Sequence, residues 1–211
     1  MDFITKPMEI EHRSMEIIAP HLAGMNLSEG ETKVYSRLIH AAGDVDYAPL
    51  IHLHPEVISK AQEALISGCD IDTDVEMVRT GINKRKLSSF GGEVHCLIAD
   101  PEIAEVAKAE GITRSMAAMR HFGKKLEGSI VAIGNAPTAL FEVLRLVEEE
   151  GVRPACIVGI PVGFVGAADS KEALRQQDIV PYITVEGTKG GSPIAAAAIN
   201  AIMYLIDDTR P

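Results

Sequence analysis

No tryptophan occurs in the 211 residues, and five phenylalanines and four tyrosines are the other large aromatics. Packing must therefore rest on Ile, Val, Leu, Ala and Met. Cysteine is also scarce: Cys69, Cys96 and Cys156 lie far apart and form no Cys-x-x-Cys pair. An odd count argues against a disulfide framework, so reduced, buried thiols in a cytoplasmic protein are expected. No apolar run reaches the roughly 18 charge-free residues of a membrane helix. The opening Met1-Asp2-Phe3-Ile4-Thr5-Lys6 lacks the charged-then-apolar pattern of a signal peptide. Basic residues are outnumbered 20 to 30, for a formal net charge of −10. Such a surface repels nucleic acid, and no basic stripe is interleaved with aromatics. Any anionic ligand must be held by a local cluster of donors against the general field.

What the chain does carry is a regular alternation of patterns. Residues 9–22 place Ile10, Met15, Ile17, Ile18 and Leu22 at helical spacing, with Pro20 bending or ending the helix. Ser28 followed by Glu31 is a capping box that opens a second helix to Ala42, with Gly43 as its stop. A third helix runs from Pro55 to Gly68. Short strands are expected at 75–78 and 94–98, helices at 101–109 and 114–124. Buried strands are expected at 129–133 and 155–160, with helices at 138–150 and 170–177. A last strand at 182–185 precedes an Ala-rich helix at 193–206. Strands alternating with helices predict an α/β fold: a single domain spanning 1–211, a mostly parallel sheet flanked by helices, and a helical N-terminal region.

Three glycine-marked loops stand out in the second half: Ile133 to Leu140, Gly159 to Gly166, and Thr188 to Ala195. Together they suggest a sheet edge lined with backbone N–H groups and helix N-termini, which suits anionic ligands. The same glycines also fit tight turns and close helix–sheet packing. Gly159-x-x-x-Gly163-x-x-Gly166 is not a dinucleotide fingerprint, the third loop lacks P-loop spacing, and no Gly-x-Ser-x-Gly elbow is present. Among single residues His40 is foremost. It falls near the end of its helix, where the dipole favours an imidazolium, and Arg37 precedes it by three on the same face. A guanidinium beside a histidine suits an acidic substrate: one anchors a carboxylate, the other handles a proton. His52 and His54 lack further ligands for a metal and read as surface-loop histidines. His12, His21, His95 and His121 stand alone.

These motifs resemble the precorrin-8X methylmutase family, including cobalt-precorrin-8 methylmutases, over nearly the whole chain. The resemblance is carried by residues 36–44 (Ser-Arg-Leu-Ile-His-Ala-Ala-Gly-Asp) and 133–140 (Ile-Gly-Asn-Ala-Pro-Thr-Ala-Leu). Residues 161–165 (Pro-Val-Gly-Phe-Val) and 190–197 (Gly-Gly-Ser-Pro-Ile-Ala-Ala-Ala) complete it. It implies an isomerase of corrin biosynthesis that moves a methyl group on ring C of a tetrapyrrole to the adjacent carbon, a suprafacial 1,5-sigmatropic shift. The product would be hydrogenobyrinate or cobyrinate, with no cofactor consumed. It further implies His40 as the catalytic histidine, Ser14 and Arg37 as substrate-binding positions, and a homodimer with the site near its interface. Loop placement adds Arg114, Asn135, Thr138 and Lys189 as candidate contacts for a polycarboxylate disc. No residue chooses between cobalt-bearing and metal-free substrate, since cobalt would arrive within the substrate and require no protein ligands. The rivals are a non-catalytic tetrapyrrole-binding carrier and a nucleotide-dependent oxidoreductase, the latter disfavoured by the broken fingerprint.

Overall fold

The computed structural model describes residues 4–209. Two helices open the chain, α1 (Pro7–Leu22) and α2 (Glu29–Ala42). Pro20 lies inside α1 without ending it. The capping box forms as expected: Ser28 Oγ accepts the Glu31 N–H at 3.2 Å, and Glu31 accepts the Ser28 N–H at 2.8 Å. Gly43, left-handed at φ 63°, stops α2 by donating its N–H to the carbonyls of Ile39 and His40.

The remainder alternates strands and helices. In order come β1 (Ile51–Leu53), α3 (Val57–Ile66), β2 (Ile71–Thr73), α4 (Glu76–Gly81), α5 (Lys84–Ser88), β3 (Val94–Cys96), α6 (Pro101–Glu110) and α7 (Arg114–Phe122). Then follow β4 (Ile130–Ile133), α8 (Pro137–Glu149), β5 (Cys156–Gly159), α9 (Ala167–Gln176), β6 (Tyr182–Val185) and α10 (Ser192–Thr209). The strand expected at 75–78 is corrected. Residues 76–78 belong to α4, and the strand is the preceding, more polar Ile71–Thr73.

One six-stranded sheet has the order β1-β6-β5-β4-β2-β3. All neighbours are parallel except the β1–β6 edge, which is antiparallel. Side-chain alternation divides the core. Ile130, Ala132, Cys156 and Val158 face a layer that includes α2, α3 and α10. Val131, Ile133 and Ile157 face the other layer, which includes α6, α7 and α8. Both faces are covered, which is why β4 and β5 are buried at every position. The chain crosses from β3 on one flank of β2 to β4 on the other, so strand order reverses between β2 and β4. In open α/β sheets the carboxyl ends of strands at such a switch point form the customary ligand crevice.

Candidate active site

Ser14 lies on α1, and Arg37 and His40 lie on α2. Arg37 Nη2 lies 2.6 Å from Glu11 Oε1, tying α2 to α1. Ser14 stands one turn beyond Glu11, its hydroxyl donating to the Ile10 carbonyl at 2.8 Å. His40 stands one turn beyond Arg37, in the last turn of α2, and both side chains are exposed. Arg37 commits one nitrogen to Glu11 and has further guanidinium donors for a ligand carboxylate.

The third glycine loop reaches the same corner. Lys189 Nζ is 2.6 Å from Asp44 Oδ2, four residues past His40, and 5.3 Å from the Tyr47 ring centroid. The lysine's hydrogen bond holds the Asp44 carboxyl below its usual pKa, and Asp44 in turn raises that of Lys189. Beneath this loop lies a residue that sequence reading missed. Lys171 of α9 is 1% exposed and donates from Nζ to the Lys189 carbonyl at 2.6 Å. Burial pulls its pKa down to about 8.

The first loop corrects an expectation. Its backbone N–H groups are not offered to a ligand. Those of Gly134, Asn135 and Ala136 all donate to the Asp74 carboxylate, at 3.0, 2.9 and 2.8 Å. Asp74 follows β2, is fully buried, and occupies the switch point beside the N-terminus of α8. Burial raises its pKa, and the three donors oppose that rise. The other loops also spend donors on one another: Gly163 N–H on the Thr188 carbonyl at 3.1 Å, Gly191 N–H on that of Ile160 at 2.9 Å. A side chain on Gly134 would meet the Ser192 backbone at 2.7 Å, and one on Gly190 the carbonyls of Ile160 and Pro161 at 2.7 Å. Close packing of loop on loop is thus what these glycines serve.

Arg114, Asn135 and Thr138 lie at the N-termini of α7 and α8. Thr138 Oγ1 is 2.7 Å from Thr113 Oγ1, Thr113 caps α7, and Arg114 opens that helix, exposed. Asn135 is also exposed. Among the described residues no hydrogen bond or ion pair joins these three to His40 or Arg37. A cavity of about 740 Å³ between α1, α2 and α10 is lined by Met15, Leu22, Arg37, Tyr204 and Leu205. It is lined by Glu11 and Arg37 but by neither His40 nor the glycine loops. The expectation of surface-loop histidines is corrected for His52, while His54 does lie in the loop after β1. His52 lies in β1, 3.1 Å from Glu186, and His54 just past it packs edge-on to Tyr182, so both are half-buried and partnered. Among the described residues no group of three His, Cys, Asp or Glu is placed to hold a metal, and no helix is long and apolar enough to cross a membrane.

Comparison with known proteins supplies the context for this geometry. A family model described as precorrin-8X methylmutase matches residues 9–205. The cobalt-precorrin-8 methylmutase of Priestia megaterium is 40% identical over 214 residues, covering 98% of this chain and 95% of that protein. The precorrin-8X methylmutase of a Sinorhizobium species is 41% identical over 202 residues, covering 95% and 96% respectively. A solved precorrin-8x methyl mutase from Thermus thermophilus superposes with a TM-score of 0.84 at 36% identity, covering 94% of this chain and 98% of that one.

Proposed function

The chain belongs to the precorrin-8X methylmutase family, and from that premise we propose how its residues carry the reaction. It is an isomerase of corrin biosynthesis acting on precorrin-8 or its cobalt form. One carbon–methyl bond on ring C breaks as the bond to the adjacent ring carbon forms, and electron pairs shift along the conjugated path. Substrate and product are isomers, so no oxidant, reductant or group acceptor is consumed. What the protein must supply is orientation and control of a proton. His40 holds that proton at the macrocycle near ring C. Arg37 and Lys189 take rim carboxylates, and Ser14 offers its hydroxyl. Arg114, Asn135 and Thr138 take further rim groups from the N-termini of α7 and α8.

The observation that carries this reading is the Arg37–Glu11 pair, which ties α2 to α1 one turn before His40, with Lys189 held by Asp44 four residues past that histidine. An anionic disc is thereby drawn to one corner of a molecule whose formal charge is −10. We take residues 1–211 as one methylmutase domain, because a single sheet runs between both cores. We place it in the cytoplasm as a homodimer. The support is that α1 buries only Ile18 and Leu22, while Ile10 and Ile17 flank Ser14 and remain 45% and 52% exposed. A second copy would cover this stripe and close the open side of the site.

The test is the visible spectrum of precorrin-8, metal-free and cobalt-bearing, mixed with wild-type protein and with His40→Ala. Wild type is expected to convert the chromophore, and the variant to lose about 10²–10⁴-fold in rate while still binding. Binding without conversion by either protein, with either substrate, would leave a carrier.

A further inference from the structure

The second glycine loop presents an apolar tip that nothing in the reaction so far uses. Phe164 is 96% exposed and Val165 90%, with Val162 beside them at 43%. Isolated surface hydrophobics are ordinary, but these three are contiguous at the tip of one loop. The tip is also held in place. Gly163 and Gly166 flank it at φ 143° and 77°, values that side chains oppose. The Gly163 N–H is bonded to Thr188, the Ile160 carbonyl accepts from Gly191, and the Gly166 carbonyl accepts from Ser170. Position adds the decisive point. The loop follows β5 at the carboxyl edge of the sheet, and Gly163 is bonded to the residue preceding Lys189, whose amine holds Asp44 beside the end of the His40 helix.

We propose that Phe164, with Val162 and Val165, is the platform on which one face of the macrocycle lies, setting which face is turned to His40. This rests on the methylmutase reading. The substrate is a flat conjugated disc whose charges sit on its rim, so its faces require apolar and aromatic contact while Lys189 and Arg37 take carboxylates. Three side chains at one loop tip are far fewer than the roughly 20–30 residues a side of a stable protein interface, which favours a ligand as the occupant. Phe164 is a positioning residue here: it orients the substrate and moves no proton.

The experiment compares wild type, Phe164→Ala and Phe164→Trp for kcat, KM, product Kd and sedimentation behaviour. Because the chain has no tryptophan, Phe164→Trp also places a sole indole at the tip. Phe164→Ala is expected to raise product Kd at least tenfold and to lower kcat/KM at least tenfold, with kcat falling as part of the bound substrate lies with the wrong face toward His40. Phe164→Trp is expected to restore both and to lose its fluorescence saturably as product is added. If Phe164→Ala keeps kcat/KM and Kd within twofold of a wild type that turns over, the proposal is overturned. It is overturned equally if the variant alters only the concentration at which the protein dissociates, which would make the tip a protein contact. Absence of turnover in wild type would instead bring down the methylmutase reading itself.

Discussion

At the scale of single residues, the buried charges matter most. Asp74 satisfies three N–H groups of one loop with one carboxylate. Asp74→Asn would turn an amide donor toward those donors, leaving buried N–H groups without an acceptor. A loss of about 2–3 kcal/mol in urea unfolding is expected, together with a rise in KM as Asn135 and Thr138 shift. Asp74 went unseen in the sequence because Asp70-Ile71-Asp72-Thr73-Asp74 reads as polar and loop-like. Its carboxylate tolerates burial only because of partners from elsewhere, the three N–H groups of the Gly134 loop. The acidic residues at every second position were the available signal. Lys171 gives a pH signature with a definite sign. Its pKa falls from 10.5 to about 8 on folding, so between those values the unfolded chain holds the extra proton. Its contribution to stability therefore rises with pH across that window. Wild type minus Lys171→Met, measured by denaturant unfolding from pH 7 to 10.5, should show that upward slope. A flat difference would mean the ammonium is solvated.

At the scale of elements, local chemistry and long-range packing divide the work. The α2 helix was legible because Ser28, Glu31 and Gly43 satisfy its ends from within the segment. Ser28→Ala is expected to cost about 1 kcal/mol, read as a lower Tm, with kcat unchanged because the cap lies at the opposite end of α2 from His40. The glycine loops were legible as special but not in purpose, since their packing partners come from other segments. Gly134→Ala would place a methyl 2.5 Å from Val78 and 2.7 Å from the Ser192 backbone. A cost of about 1–3 kcal/mol is expected, measurable by thermal unfolding, as α10 is pushed off the sheet edge. The strand misplaced at 75–78 shows the limit of apolar runs as signals: Val75 and Val78 are apolar because α4 turns Val78 into the core. The three-residue β1 escaped notice because its only sheet neighbour is β6, more than a hundred residues later.

At the scale of the whole molecule, the proposed homodimer would cover the exposed stripe of α1 that carries Ile10 and Ile17. Ile17→Glu, on the exposed face of α1, is expected to shift sedimentation toward the monomer and to reduce turnover together with it. A monomer that keeps full activity would separate the site from any interface. The substitution lies on a half-exposed position, so the fold itself should tolerate it.

Fold class, the order of most elements and the capping of α2 followed from the residues alone. Periodicity, caps and motif spacing are local properties that a chain displays before it folds. Which loop N–H groups are free, what Lys171 and Asp74 hold, and that Lys189 is drawn to the His40 corner depended on the folded arrangement. Those facts are partnerships between groups dozens of residues apart, such as Asp44 with Lys189 and Asp74 with Gly134. Burial in a shared low-dielectric interior, which no local pattern encodes, makes such pairings obligatory.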